Sequence, residues 1–150
     1  MTTALWIIIA LIVIAVIAVC VLVRSHLAWL RQQTPLGAWT ASTPDGAITL
    51  IFEGGPHEGL YRQLTERDGQ RNREFGHWTQ QMRRLQMIMM ASDVSNNERI
   101  GVDTTYELRF VAPEKISITG PDRPGIEFAK APAGTALDFG EPAAAEPPMQ

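Results

Sequence analysis

The sequence predicts a mainly β chain: a single N-terminal transmembrane helix, a small antiparallel up-and-down β-barrel of about eight short strands, and a disordered C-terminal tail. Three observations lead there. Residues 4–23 carry no charge. Residues 36–131 break into short alternating runs with turn chemistry between them. Residues 132–150 hold no Lys or Arg and are rich in Pro, Ala and Gly.

The span from Ala4 to Val23 reads ALWIIIALIVIAVIAVCVLV. At a rise of ~1.5 Å per residue it covers ~30 Å, the thickness of a bilayer core. Ile and Val dominate it, yet no strand in water runs so far without a polar face. In lipid a helix bonds its own backbone and an open strand cannot. A cleaved signal peptide fits less well. Residues 1–3 carry no basic side chain, no Ala-x-Ala site precedes Arg24, and the apolar core exceeds the usual ~7–15 residues. A lipid-modified Cys20 also fits less well, because Val19 before it is not small; Cys20 reads as a packing or lipid-facing residue. Trp6 and Trp29 lie ~35 Å apart along a continuous helix, one for each headgroup layer. Arg24 and Arg31 follow the span and no Lys or Arg precedes it, so the positive-inside rule leans the following domain toward the cytoplasm. Only two arginines vote, and an exported domain stays open. Residues 1–3 form the N-terminus and 24–35 a juxtamembrane linker. Arg24 to Gln33 can prolong the helix until Pro35 stops it.

The barrel is expected over residues 36–131. Its first strand is Gly37 to Ser42, followed by the turn Thr43-Pro44-Asp45-Gly46. Ile48, Leu50 and Phe52 share a face, with Thr49 and Glu53 off it. Leu60 and Leu64 alternate with Tyr61, Gln63 and Thr65. Arg67-Asp68-Gly69-Gln70 carries the Asp-Gly hairpin signal, and Arg73 to Thr79 follows. Leu85 to Ala91 is a Met-rich strand, and residues 93–103 are a polar loop. A competing pattern places a short helix over residues 76–90, where Trp78, Met82, Leu85 and Met89 recur near helical spacing. Tyr106, Leu108 and Phe110 alternate with Glu107 and Arg109. Ile116 and Ile118 share a face, residues 120–125 form a rigid turn, and Ile126 and Phe128 close the set. Consecutive hairpins favour a meander, and closing it removes exposed edges.

Gly37-x-Trp39 on the first strand is repeated as Gly76-His77-Trp78 thirty-nine positions later, and Ile51-Phe52 precedes Gly59-Leu60-Tyr61. With the meander, these residues resemble the small bacterial lipocalin-like (calycin) β-barrel domains, over about residues 36–130. The resemblance implies a fold more than an activity. It also implies a bacterial inner (cell) membrane for the anchor. True lipocalins are longer, and their later motifs do not stand out here. Trp39 and Trp78 are expected to plug one end of the barrel, with their indole N–H groups hydrogen-bonded.

At 150 residues, with a net charge of −3 and one Cys, the chain argues against a multidomain enzyme, a basic nucleic-acid binder and a disulfide scaffold. It holds no Gly-x-Ser-x-Gly, phosphate loop, dinucleotide fingerprint or Cys–His pair. His57 and His77 lack a third ligand at metal spacing, so no cofactor and no enzymatic activity are expected. Six arginines fall between Arg62 and Arg84 against three acids, a local excess of +3. They form either a solvated face or a basic surface for headgroups or an acidic partner. Met89 and Met90 cannot both be buried by an alternating strand, so one faces outward.

The expected function is that of a non-enzymatic single-pass membrane protein, an accessory or assembly subunit of a larger membrane protein complex. Its expected contacts are Trp29, Arg31, Arg62, Arg83, Arg84, Met89 and Met90. The alternative is a membrane-tethered binder of small apolar ligands, with Trp39, Tyr61, Trp78, Tyr106 and Phe110 lining a cup of ~300 Å³ or more.

Overall fold

The computed structural model describes residues 2–94 and 97–132, with the backbone alone at residues 2 and 30–32. The tail expected from residue 132 onward falls outside the described residues from 133 on. The chain divides between Gln33 and Thr34 into two units.

The first unit is one α-helix, α1 (Thr2–Gln32). Thr3–Trp29 is long and apolar enough to cross a membrane, and its large apolar side chains are exposed. Helical structure continues past Val23 through residues 24–32, most of the juxtamembrane linker. Nothing in Arg24 to Gln32 breaks a helix, and Pro35 supplies the first obstacle.

The second unit holds eight antiparallel strands: β1 (Gly37–Thr43), β2 (Gly46–Gly54), β3 (Glu58–Arg67), β4 (Gln70–Gln81), β5 (Arg84–Ser92), β6 (Asp103–Ala112), β7 (Lys115–Gly120) and β8 (Arg123–Lys130). They pair in chain order and close as a barrel through Trp39↔Lys130 and Thr40↔Ala129. The Ala131 N–H donating to the Ala38 carbonyl at 2.8 Å extends that seam. Closure leaves no long sheet edge for another chain to pair with.

Turn chemistry explains the meander. Asp68 (φ 50°) and Gly69 (φ 76°) both take positive φ, which is the type I′ geometry matching strand twist. The β1–β2 turn packs beside it, with the Asp68 N–H donating to the Asp45 carbonyl. The helical pattern over residues 76–90 is overridden. Met82 takes φ 56° at a tight turn, the Gln80 side-chain amide donates to its carbonyl at 2.8 Å, and Gln81 pairs with Arg84. Trp78, Leu85 and Met89 point inward from the two arms, while Met82 is exposed at the tip.

The core is the barrel interior. Leu50, Phe52, Trp78, Leu85, Leu108, Ile116, Ile118 and Phe128 are essentially sealed from solvent. Phe52 meets Trp78 edge to face, with centroids 5.4 Å apart. On β3 the inward set is Tyr61 and Gln63, and Leu60 faces out. An eight-stranded barrel is just wide enough for its own side chains to fill, and polar groups among them must find partners.

Candidate functional site

The two ends of the barrel interior differ in chemistry. At the end where the chain enters β1, the Trp39 indole N–H donates to the Pro35 carbonyl at 2.6 Å and that of Trp78 to the Glu53 carbonyl at 3.2 Å. The repeated Gly-x-Trp therefore supplies two hydrogen-bonded plugs. Lys130 lies over the Trp39 ring, 5.7 Å from its centroid.

The other end is bounded by the β5–β6 loop and the β7–β8 turn, and its interior is polar. Tyr61 and Gln63 come from β3, Glu74 from β4, Arg99 from the loop, Tyr106 from β6, Asp122 from the turn and Arg123 from the first residue of β8. The Gln63 amide donates to Glu74 Oε2 at 3.2 Å, and Arg123 Nη2 donates to Gln63 Oε1. Arg99 Nη2 reaches Asp122 Oδ2 at 2.9 Å and donates to the Tyr106 hydroxyl at 3.1 Å; that hydroxyl donates to Asp122 at 3.3 Å. The Arg123 guanidinium carbon sits 5.2 Å from the Tyr106 ring centroid. A small, partly open pocket of about 10 Å³ lies among Tyr61, Glu74, Arg99, Tyr106 and Arg123.

Glycines make room for both tyrosine rings. A Cβ at Gly76 would meet the Ile88 carbonyl oxygen at 2.0 Å and Tyr61 Cε1 at 2.7 Å. A Cβ at Gly120 would meet Tyr106 Cδ1 at 2.2 Å. Burial sets the local electrostatics. Desolvation raises the Glu74 pKa against the pull of Arg99 and Arg123. It also raises the hydroxyls of Tyr61, where Glu74 adds to the effect, and of Tyr106.

On the outer wall, Leu60, His77 and Ile88 form one cross-strand row over β3, β4 and β5. Met90 is the next outward residue on β5 and is 50% exposed. Ile100, bridged to Met89 through the backbone, and Val102 add exposed apolar side chains beside β5. Met89 itself is 3% exposed and lines the polar pocket, which corrects its assignment as a surface contact. Strand alternation puts Met87 and Met89 inside and Ile88 and Met90 outside.

The arginine-rich stretch is largely neutralised by acids that sequence counting left out. Arg62 pairs with Glu53 at 2.8 Å, Arg67 with Asp45 at 2.8 Å and Arg73 with Asp93 at 2.7 Å; Arg71 takes Glu66 at 2.8 Å. Arg83 and Arg84, at the β4–β5 tip, are exposed and form no ion pair among the described residues. Trp29 is exposed on α1, and the Arg31 side chain lies outside the described residues. Among the described residues, no three His, Cys, Asp or Glu side chains gather where one metal ion could be held.

The aromatic set proposed for a ligand cup is divided between the ends. Trp39 and Trp78 seal one, Tyr61 and Tyr106 line the other, and Phe110 packs half-buried against the core. The polar cluster itself was missed from sequence. Its members are scattered over six elements, and Arg123 sits in what reads as a Pro/Gly turn. The one available signal was Gln63 and Glu74, both placed inward by the alternation of their strands. Comparison with protein-family models, curated proteins and solved structures finds no match for this chain.

Proposed function

We propose that this chain is a single-pass membrane protein whose barrel works by binding protein, as a non-enzymatic accessory or assembly subunit of a larger membrane complex. In this reading α1 is the anchor, held in a bacterial inner (cell) membrane. The barrel is lipocalin-like, and Arg24 and Arg31 lean it toward the cytoplasm. The observation that carries the proposal is the outward apolar set Leu60, Ile88 and Met90, with Ile100 and Val102 beside it. Clustered exposed apolar side chains on a domain wall mark protein contacts, and Met adapts to an irregular partner surface. Arg83 and Arg84, exposed at the β4–β5 tip and without an ion pair among the described residues, add a cationic contact.

A tethered binder of apolar ligands is less well supported. The polar pocket, at about 10 Å³, is far below the ~300 Å³ a small-molecule site needs, and Trp39, Tyr61, Trp78 and Tyr106 are packed into the barrel interior. Purification of the full chain in mild detergent tests the proposal. A stoichiometric membrane partner is expected, and Ile88→Glu with Met90→Glu should release it while leaving the barrel's melting unchanged. Recovery of the unaltered chain only as a free monomer would overturn the reading.

A further inference from the structure

We propose that the polar mouth of the barrel is a binding site for one small monovalent anion of halide size, held by Arg123 and Arg99. The argument begins with an imbalance at Arg123. Its residue is 6% exposed, and it forms no ion pair among the described residues. One terminal nitrogen is used on Gln63, the guanidinium face lies against Tyr106, and Nη1 is buried with no hydrogen-bond partner among the described residues. A buried guanidinium without a counter-ion is costly, and an unsatisfied buried donor adds to that cost.

Neither neighbouring carboxylate pairs with Arg123 directly. Asp122 is engaged by Arg99 and the Tyr106 hydroxyl. Glu74 is reached only through Gln63, which bridges the two side chains. Arg123 lines the small pocket together with Arg99, Glu74, Tyr61 and Tyr106, and its volume of about 10 Å³ suits one water-sized species. Chloride is larger than water, and the extra room lies where the pocket opens beside the partly exposed Arg99 and Val102.

Charge decides which species enters. The groups facing Glu74 are Arg99 from the β5–β6 loop, Arg123 from β8, Asp122 from the β7–β8 turn and Tyr61 from β3. With Glu74 ionised, two guanidinium groups face two carboxylates, and a neutral water suits the pocket. With Glu74 protonated, two cations face Asp122 alone, and one monovalent anion restores the balance. Burial favours the protonated form of Glu74. Anion binding and proton uptake by Glu74 are therefore linked, and each promotes the other.

The test uses the full chain in neutral detergent, with sodium chloride compared against sodium gluconate at equal ionic strength. Thermal melts and the linewidth of the chloride NMR signal are the readouts. Chloride should raise the melting temperature saturably by a few degrees where gluconate does not. On the alkaline side of the Glu74 titration, the half-saturating concentration should rise by up to about tenfold for each pH unit of increase. Glu74→Gln should keep the chloride response and lose its pH dependence. Arg123→Gln should abolish the response; if that variant does not fold, Arg99→Gln, at a partly exposed position, should weaken it several-fold. Equal melting in chloride and gluconate across the pH range, with no excess linewidth, would show a pocket that holds water only and would overturn the proposal.

Discussion

Replacing Gly120 by Ala offers a sharp test of the polar mouth. The new Cβ would lie 2.2 Å from Tyr106 Cδ1 and 2.7 Å from Cε1, so the ring must retreat by about 1 Å to reach ordinary contact. It has little room, being buried, flanked by Arg123 and bonded at its hydroxyl to Arg99 and Asp122. Overpacking of this kind costs about 1–3 kcal/mol. Pulling the hydroxyl off two partly exposed partners adds about 0.5 kcal/mol for each bond, the low end of the usual range. The total of about 2–4 kcal/mol corresponds to a fall in melting temperature on the order of 10–20 °C for a domain of this size. Gly120 does not occupy the left-handed region, so Ala can adopt its backbone. The decisive measurement is a double-mutant cycle by urea melts of the full chain in detergent. In a Tyr106→Val background the clash is gone. There, Gly120→Ala should be neutral or stabilise by about 0.5–1 kcal/mol, through reduced chain entropy in the unfolded state. An equal penalty in both backgrounds would refute the placement of the Tyr106 ring on Gly120.

Further outcomes follow from the same geometry. Met89→Glu should abolish cooperative unfolding by burying a carboxylate in the core, whereas Met90→Glu should change stability by less than about 0.5 kcal/mol; matched melts of the two variants would contradict the facing of β5. Trp39→Phe leaves the Pro35 carbonyl without its indole donor and should cost about 1–2 kcal/mol in urea unfolding; an unchanged midpoint would mean the plug contributes nothing. In chloride-free buffer, stability should pass through a maximum on the mildly acid side. Glu74, raised by burial from its ordinary 4.5, contributes stability that is complete below that value and is lost as pH rises through its folded titration. Asp93, held below its ordinary 3.8 chiefly by the Arg73 hydrogen bond, contributes stability that is lost as pH falls through its folded titration. Glu74→Gln should flatten the alkaline limb, and a variant profile parallel to that of the unaltered chain would remove Glu74 from the account.

The fold was legible in the sequence because its signals are local. Asp68-Gly69 specifies a type I′ hairpin within four residues, and the Tyr106, Leu108 and Phe110 alternation marks a half-buried strand within five. Trp39 and Trp78 were readable as plugs because a buried indole needs one acceptor, and strand-end carbonyls supply it. The polar mouth was not legible, because it is a product of closure. Arg123 meets Gln63, sixty positions away in the chain, only after β8 has come round to complete the barrel. The basic surface failed for a related reason. Counting charges from Arg62 to Arg84 omits Asp45, Glu53 and Asp93, which cross-strand pairing and the loop after β5 bring beside three of those arginines. The Met82 tip shows how tertiary context overrides propensity: good helix formers become a hairpin because both flanking arms bury side chains in the barrel.

The division between the outer wall and the mouth makes the two functional proposals separable. Ile88 and Met90 face away from the interior, so a charge placed there leaves Arg123, Gln63 and Glu74 in register. Arg99 belongs to the loop beyond β5, and its neutralisation leaves the Leu60–His77–Ile88 row untouched. Loss of a partner in Met90→Glu with the chloride response intact would assign protein binding to the wall alone. Loss of both in Arg99→Gln would mean that the loop carrying Ile100 and Val102 transmits the state of the mouth to the partner-facing surface. That loop contributes to both sites, through Arg99 inward and Ile100 outward, as β3 does through Tyr61 and Leu60 and β5 through Met89 and Met90. An anion in the mouth would then act on partner affinity by fixing that loop, with a coupling that must be equal in both directions.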